Sequence, residues 1–167
     1  MNSVAYALGL VFISSAALGP QADGGLKQYV KKLNTETAKA YETKDSAFFD
    51  RLYGLGFESK DEHGVVLKRK ESLFVVRFQL NTIKFTDYKA TTQAIKLEKA
   101  RGTVITKATM MGLTPARRGQ PGEKVQIARK WSDVFEKRGD KWELVSRTEL
   151  AAPVVLATPL VPAKPRK

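Results

Sequence analysis

Asp133, Tyr53, Arg129 and His63 are the side chains whose types and settings could carry chemistry in this sequence. Asp133 stands between Trp131 and Phe135, one strand repeat from each. A carboxylate on such an apolar face is desolvated, which raises its pKa and suits it to general-base work. Tyr53 is the hydroxyl that could serve as donor beside it. The plainer and preferred reading makes Asp133 a hydrogen-bond acceptor for its cross-strand neighbour, holding strand register. Arg129 lies on the same face, but four residues of strand span about 13 Å, too far to pair with Asp133. It could hold an anionic ligand, and pairing with an acid from a helix is preferred. His63 follows Asp61 and Glu62 in a polar turn, where a lone histidine is ordinarily solvated.

These residues depend on a hairpin from Val125 to Glu149, with one tryptophan on each arm. A two-residue loop, Gly139-Asp140, sets Phe135 against Leu144, Lys137 against Trp142, Asp133 against Ser146 and Trp131 against Thr148. Trp131, Phe135, Trp142 and Leu144 then share one apolar face. A three-residue loop would split the tryptophans between faces, and a one-residue slip inverts every side chain. Glycine first in a two-residue loop suits a type II′ turn.

The 167 residues are 43% hydrophobic and 28% charged, as in a soluble domain with a real core. Without cysteine there is no disulfide, thiol nucleophile, thiolate metal site or lipid-modified cysteine, and one histidine precludes a multi-histidine metal site. No cofactor or metal is expected. The net charge of +12 raises polyanion binding as a reading. The bases are scattered, however, as Lys31-Lys32, Lys68-Arg69-Lys70, Arg117-Arg118 and Lys137-Arg138, with no aromatic-interleaved stripe. Nucleic acid is therefore not an expected partner.

Val4 to Leu18 is apolar, shorter than the roughly 20 residues a membrane span needs, and of the length of a secretory core. Cleavage could follow Ala17 or Ala22. The expected division is a signal peptide over 1–22, a domain over 23–150 and a proline-rich basic tail over 151–167, exported to the periplasm or secreted. Membrane contact is expected only through the signal peptide. After Asp23-Gly24-Gly25, the residues Leu26, Tyr29, Val30, Leu33, Thr37, Ala40 and Tyr41 form one helical stripe. Asp45 caps a second helix with Phe48, Phe49, Leu52 and Tyr53 as its buried set. Phe57–Lys60 and Val65–Lys68 form a small hairpin, and Ser72–Leu80 fits a strand or a helix. Tyr88–Leu97 and Thr103–Met111 read as strands joined by Lys99 to Gly102. The prolines at 153, 159, 162 and 165 predict an extended, flexible tail.

Arg129, Ser132-Asp133-Val134-Phe135, Lys137-Arg138-Gly139-Asp140-Lys141-Trp142 and Leu144-Val145-Ser146 resemble a pattern in the nuclear transport factor 2-like superfamily, in its SnoaL-like branch. The turn here is Gly-Asp where that branch usually has Asp-Gly. Gly56 to Lys70 resembles the branch's early hairpin leading to a third helix, which favours helix for Ser72–Leu80. The resemblance implies an α+β fold, a curved and mainly antiparallel sheet wrapped around N-terminal helices with an apolar pocket inside. Its members include acid–base isomerases and dehydratases as well as binding proteins, and dimers through the sheet are common. The expectation is a non-catalytic cone that binds a small apolar or amphipathic ligand or a second copy of itself. Arg129, Trp131, Phe135, Trp142 and Phe49 are the expected ligand-binding residues. An enzyme built on Asp133 as base and Tyr53 as donor is the alternative, and a basic polyanion-binding module a second.

Overall fold

Amphipathic stripes and alternating strands bury their apolar faces against one another, here with the sheet wrapped around the helices. The computed structural model describes residues 21–116 and 121–160. The signal-peptide expectation therefore lies almost wholly outside the described residues, as do Arg117, Arg118 and the last stretch of the tail. No helix among the described residues is long and apolar enough to cross a membrane.

Helix α1 spans Gln21–Thr43, running through Gly24 and Gly25 rather than starting after them. Leu26, Val30, Leu33, Ala40 and Tyr41 from its stripe are buried. Helix α2, Ser46–Leu52, is capped by Asp45, whose carboxylate accepts from the Phe48 N–H at 3.1 Å. Tyr53 is not part of the helix. It opens strand β1, Tyr53–Lys60, and its N–H closes the helix end on the Phe49 carbonyl. Asp61 folds the turn into β2, Val66–Lys68, by accepting from the N–H groups of His63 and Val65. Helix α3, Arg69–Thr82, resolves the ambiguous stretch as helix. Its first residue, Arg69, donates to the carbonyls of Tyr53 and Asp50 at 2.7 and 2.8 Å, covering carbonyls that the end of α2 leaves without helical partners.

The remaining strands are β3, Lys84–Glu98, β4, Arg101–Leu113, β5, Glu123–Arg138, β6, Lys141–Glu149 and β7, Val154–Pro159. They form a curved, open sheet in the order β2-β1-β6-β5-β4-β3, with β7 also on β5. All pairings are antiparallel except β1 with β6. The β3–β4 loop is only Lys99-Ala100, with Lys99 at φ 55°, so Gly102 lies inside β4. A side chain at Gly102 would overlap Leu26, which is why α1 can lie so close to the sheet.

The organising hairpin has the expected start. Phe135 pairs with Leu144 and Lys137 with Trp142 around Gly139-Asp140, and Gly139 has φ 60° as a type II′ turn requires. Beyond Leu144 the expectation fails. A bulge at Val145 shifts the register, so Val134 pairs with Ser146, Asp133 with Arg147 and Trp131 with Glu149. Ser146 and Thr148 thus turn outward, and Arg147 and Glu149 turn inward.

The tail also departs from expectation. Val154–Pro159 is an antiparallel strand on the first half of β5, from Glu123 to Ala128. Each of its residues is exposed.

Candidate functional site

Trp131, Asp133 and Arg129 project from β5, and Arg147 and Glu149 project from β6 after the bulge. They meet beneath Tyr41 of α1 and Tyr53 of β1. Asp133 does not bond Ser146. Its Oδ1 accepts from Arg147 Nε at 2.7 Å, and its Oδ2 accepts from Arg147 Nη2 at 2.9 Å and from the Trp131 indole N–H at 2.8 Å. The Arg147 guanidinium also lies 4.6 Å from the centre of the Trp131 ring, a cation–π contact. One tryptophan thus donates to the acid and supports the base.

Arg129 pairs with Glu149 through Nε and Nη2, so its partner is a strand acid rather than a helix acid. The side chains of Asp133 and Glu149 are only 6% and 8% exposed, and those of Arg147 and Arg129 18% and 21%. Two positive and two negative groups are therefore enclosed as two bidentate pairs. Burial opposes the charge on Arg147, but the adjoining Asp133 outweighs it and holds the Arg147 pKa well above the ordinary value. Burial pushes Tyr41 up to about 12 and raises Tyr53 and Tyr88, so all three are protonated phenols at neutral pH.

The cone is nearly full. Between Tyr41, Phe49, Tyr88, Met110, Trp131 and Asp133 there is a void of only about 20 Å³, room for about one water. Tyr41 packs edge-on against Phe49 and Phe85 and stacks on Tyr88, which closes this space. Phe135, Trp142 and Leu144 lie in the core and line neither this void nor the cleft beside it. That cleft, about 100 Å³, opens on the other side of the ion pairs, between α3 and the ends of β1 and β6. Tyr53, Arg129, Arg147 and Glu149 form its sheet side with Tyr41 of α1 beside them, and Ser72, Val75, Val76 and Gln79 form its α3 side. The Ser59 and Ser72 hydroxyls share a hydrogen bond of 2.8 Å along its floor. Larger hollows of 440, 600 and 640 Å³ lie elsewhere, and none is lined by Asp133, Arg147 or Arg129.

Of the sequence-derived residues, Asp133, Trp131, Phe49 and Arg129 meet at the void, and Tyr53 and Arg129 at the cleft. His63 has a side chain 78% exposed, away from both. Arg147, Glu149 and Gln79 escaped the sequence reading. A signal for the first two existed: Asp133 and Arg129 required an opposite charge on the facing strand, and only a register shift supplies it.

No protein-family model matches this chain, and no curated protein does. Solved structures do. A nuclear transport factor 2-like protein from Cytophaga hutchinsonii is 12% identical over 80% of this chain and 100% of its own, with a TM-score of 0.55. A putative scytalone dehydratase from Novosphingobium aromaticivorans is 10% identical over 84% of this chain and 92% of its own, with a TM-score of 0.59. A hexachlorocyclohexane dehydrochlorinase, LinA type 2, is 12% identical over 87% and 95%, with a TM-score of 0.60. The chain has the nuclear transport factor 2-like fold. Identities this low establish fold alone, and proteins of that fold include enzymes and proteins of unknown function.

Proposed function

We propose that this protein is an exported, non-catalytic binding module that holds a small ligand in the cleft between α3 and the ends of β1 and β6. The observation that carries the reading is the saturation of Asp133. A general base needs a lone pair aimed at a substrate proton. Asp133 instead accepts three hydrogen bonds, two of them from a guanidinium, so its oxygens are already engaged. The void beside it holds no substrate-sized molecule. The alternative with Asp133 as base and Tyr53 as donor therefore lacks both a base and a place for the substrate. A ligand finds space in the cleft, where arginines, phenols and Gln79 stand beside Val75 and Val76, which favours a ligand that carries polar groups over a purely apolar one.

Val75 is 40% exposed and lines the cleft, so Val75→Trp narrows it without entering the core. Protein purified from its own host should release a small molecule, detected by mass spectrometry after denaturation, and the Val75→Trp protein should release much less. Equal release from both, or none from the wild type, would sink the reading. Export is tested by N-terminal sequencing of material from outside the cytoplasm, where a new start after Ala17 or Ala22 is expected. A retained Met1 in cytosolic protein would refute it.

A further inference from the structure

Gln79 lies on the inner side of α3, and its side-chain oxygen is the one buried side-chain N or O atom without a hydrogen-bond partner among the described residues. A buried acceptor left unpaired is costly, and native structures carry few. Gln79 lines the cleft, so whatever satisfies it comes from there. Donors stand on the opposite wall. Arg129 and Arg147 commit Nε and Nη2 to their acids, so the hydrogens of Nη1 and the second hydrogen of Nη2 are left on each. Tyr41 and Tyr53 add two phenols, which burial keeps protonated.

Charge narrows the choice further. Arg129 is balanced by Glu149, Arg147 by Asp133 and, at the edge, Lys60 accompanies Asp61. An anion would add an uncompensated charge to a neutral enclosed site, and a cation would do the same with opposite sign. A carboxylate also has no donor for Gln79, and an ammonium group has no acceptor for the arginines and phenols. The cleft has the space of a few water molecules.

We infer that the cleft binds a small uncharged amide, its N–H on Gln79 and its carbonyl facing the Arg147 and tyrosine wall. A primary amide also satisfies either orientation of the Gln79 carboxamide, because it carries both kinds of group. This assignment rests on the cleft being the binding site.

Acetamide and acetate test it, being nearly equal in size and shape and different in charge and donor content. Both are titrated into the 15N-labelled full chain and followed by NMR. Acetamide should give saturable shifts at the Gln79 side-chain amide and at Ser72 and Arg147, and acetate should give none. Gln79→Leu should weaken acetamide at least about tenfold without lowering the melting temperature, since it removes an unpaired buried acceptor. Acetate binding as tightly as acetamide at these residues would overturn the amide assignment while leaving the cleft a ligand site. Acetamide binding that is indifferent to Gln79→Leu, or absent, would also overturn it. Failure of the cleft as the natural site registers separately, as unchanged release from the Val75→Trp protein.

Discussion

Asp133→Asn keeps the side chain's shape but removes the charge that Arg147 faces across the strand pair. A hydrogen bond to Ser146 would have made this the exchange of one charge-assisted bond for a neutral one. With Arg147 largely enclosed beside it, stability should fall by about 3 kcal/mol, because a guanidinium is left without its counter-charge. Replacing both partners with apolar residues, Asp133→Leu with Arg147→Met, should return stability to within about 1 kcal/mol of wild type. Urea midpoints for the two proteins, read at constant slope, decide the matter. A single variant as stable as wild type would remove the ion pair from any structural role. Strand alternation sufficed to place Asp133 on the inner face with Trp131 and Phe135. It could not identify Arg147, because a single extra residue at Val145 reverses the facing of everything after it. Gln79 carried no signal at all, since an unpaired acceptor is defined by what surrounds it in space.

The elements themselves were legible where periodicity was long and illegible where it was short. The stripe of α1 and the turn at Gly139-Asp140 follow from residue spacing. Ser72–Leu80 satisfied both periods, and its helical state came from the resemblance rather than from its own residues. The prolines at 153 and 159 suggested a loose tail, yet Pro153 precedes and Pro159 ends a six-residue edge strand, where proline is tolerated. A chain ending at Leu150 tests the difference. It uncovers the β5 edge around Val125 and Ile127, both buried in the whole chain. The shortened protein should unfold at lower urea and associate with rising concentration on size-exclusion chromatography. A flexible tail would leave both measurements unchanged. The contact between α1 and β4 gives a second test. Gly102→Ala should cost about 1–3 kcal/mol through overlap with Leu26. Adding Leu26→Ala should cost less than it does in the wild-type background, since the overlap is then relieved.

At the scale of the whole molecule, the buried phenols set an alkaline limit. Tyr41 has a folded pKa of about 12 against an ordinary 10.0, and Tyr53 and Tyr88 shift the same way. Below pH 10 neither folded nor unfolded chains ionise these groups, and their contribution is intact. From pH 10 towards 12 the unfolded chain releases its protons first, so stability falls as pH rises. Tyrosinate absorbance from these residues should therefore appear together with loss of the circular dichroism signal. Ionisation well before unfolding would show the phenols to be open to water. The parallel pairing of β1 with β6 has a consequence for when the molecule can fold. Tyr53 meets Leu144, and Lys60 meets Thr148, so β1 waits for a strand synthesised after β3, β4 and β5. Contacts this distant in sequence close slowly, because the intervening loop must be ordered before they form. A nascent chain lacking β6 leaves β1 with only the short β2 beside it, and leaves Asp133 and Arg129 without their partners. Until β6 has emerged the sheet stays open between β1 and β5, the condition in which a polypeptide can still be threaded through a narrow channel.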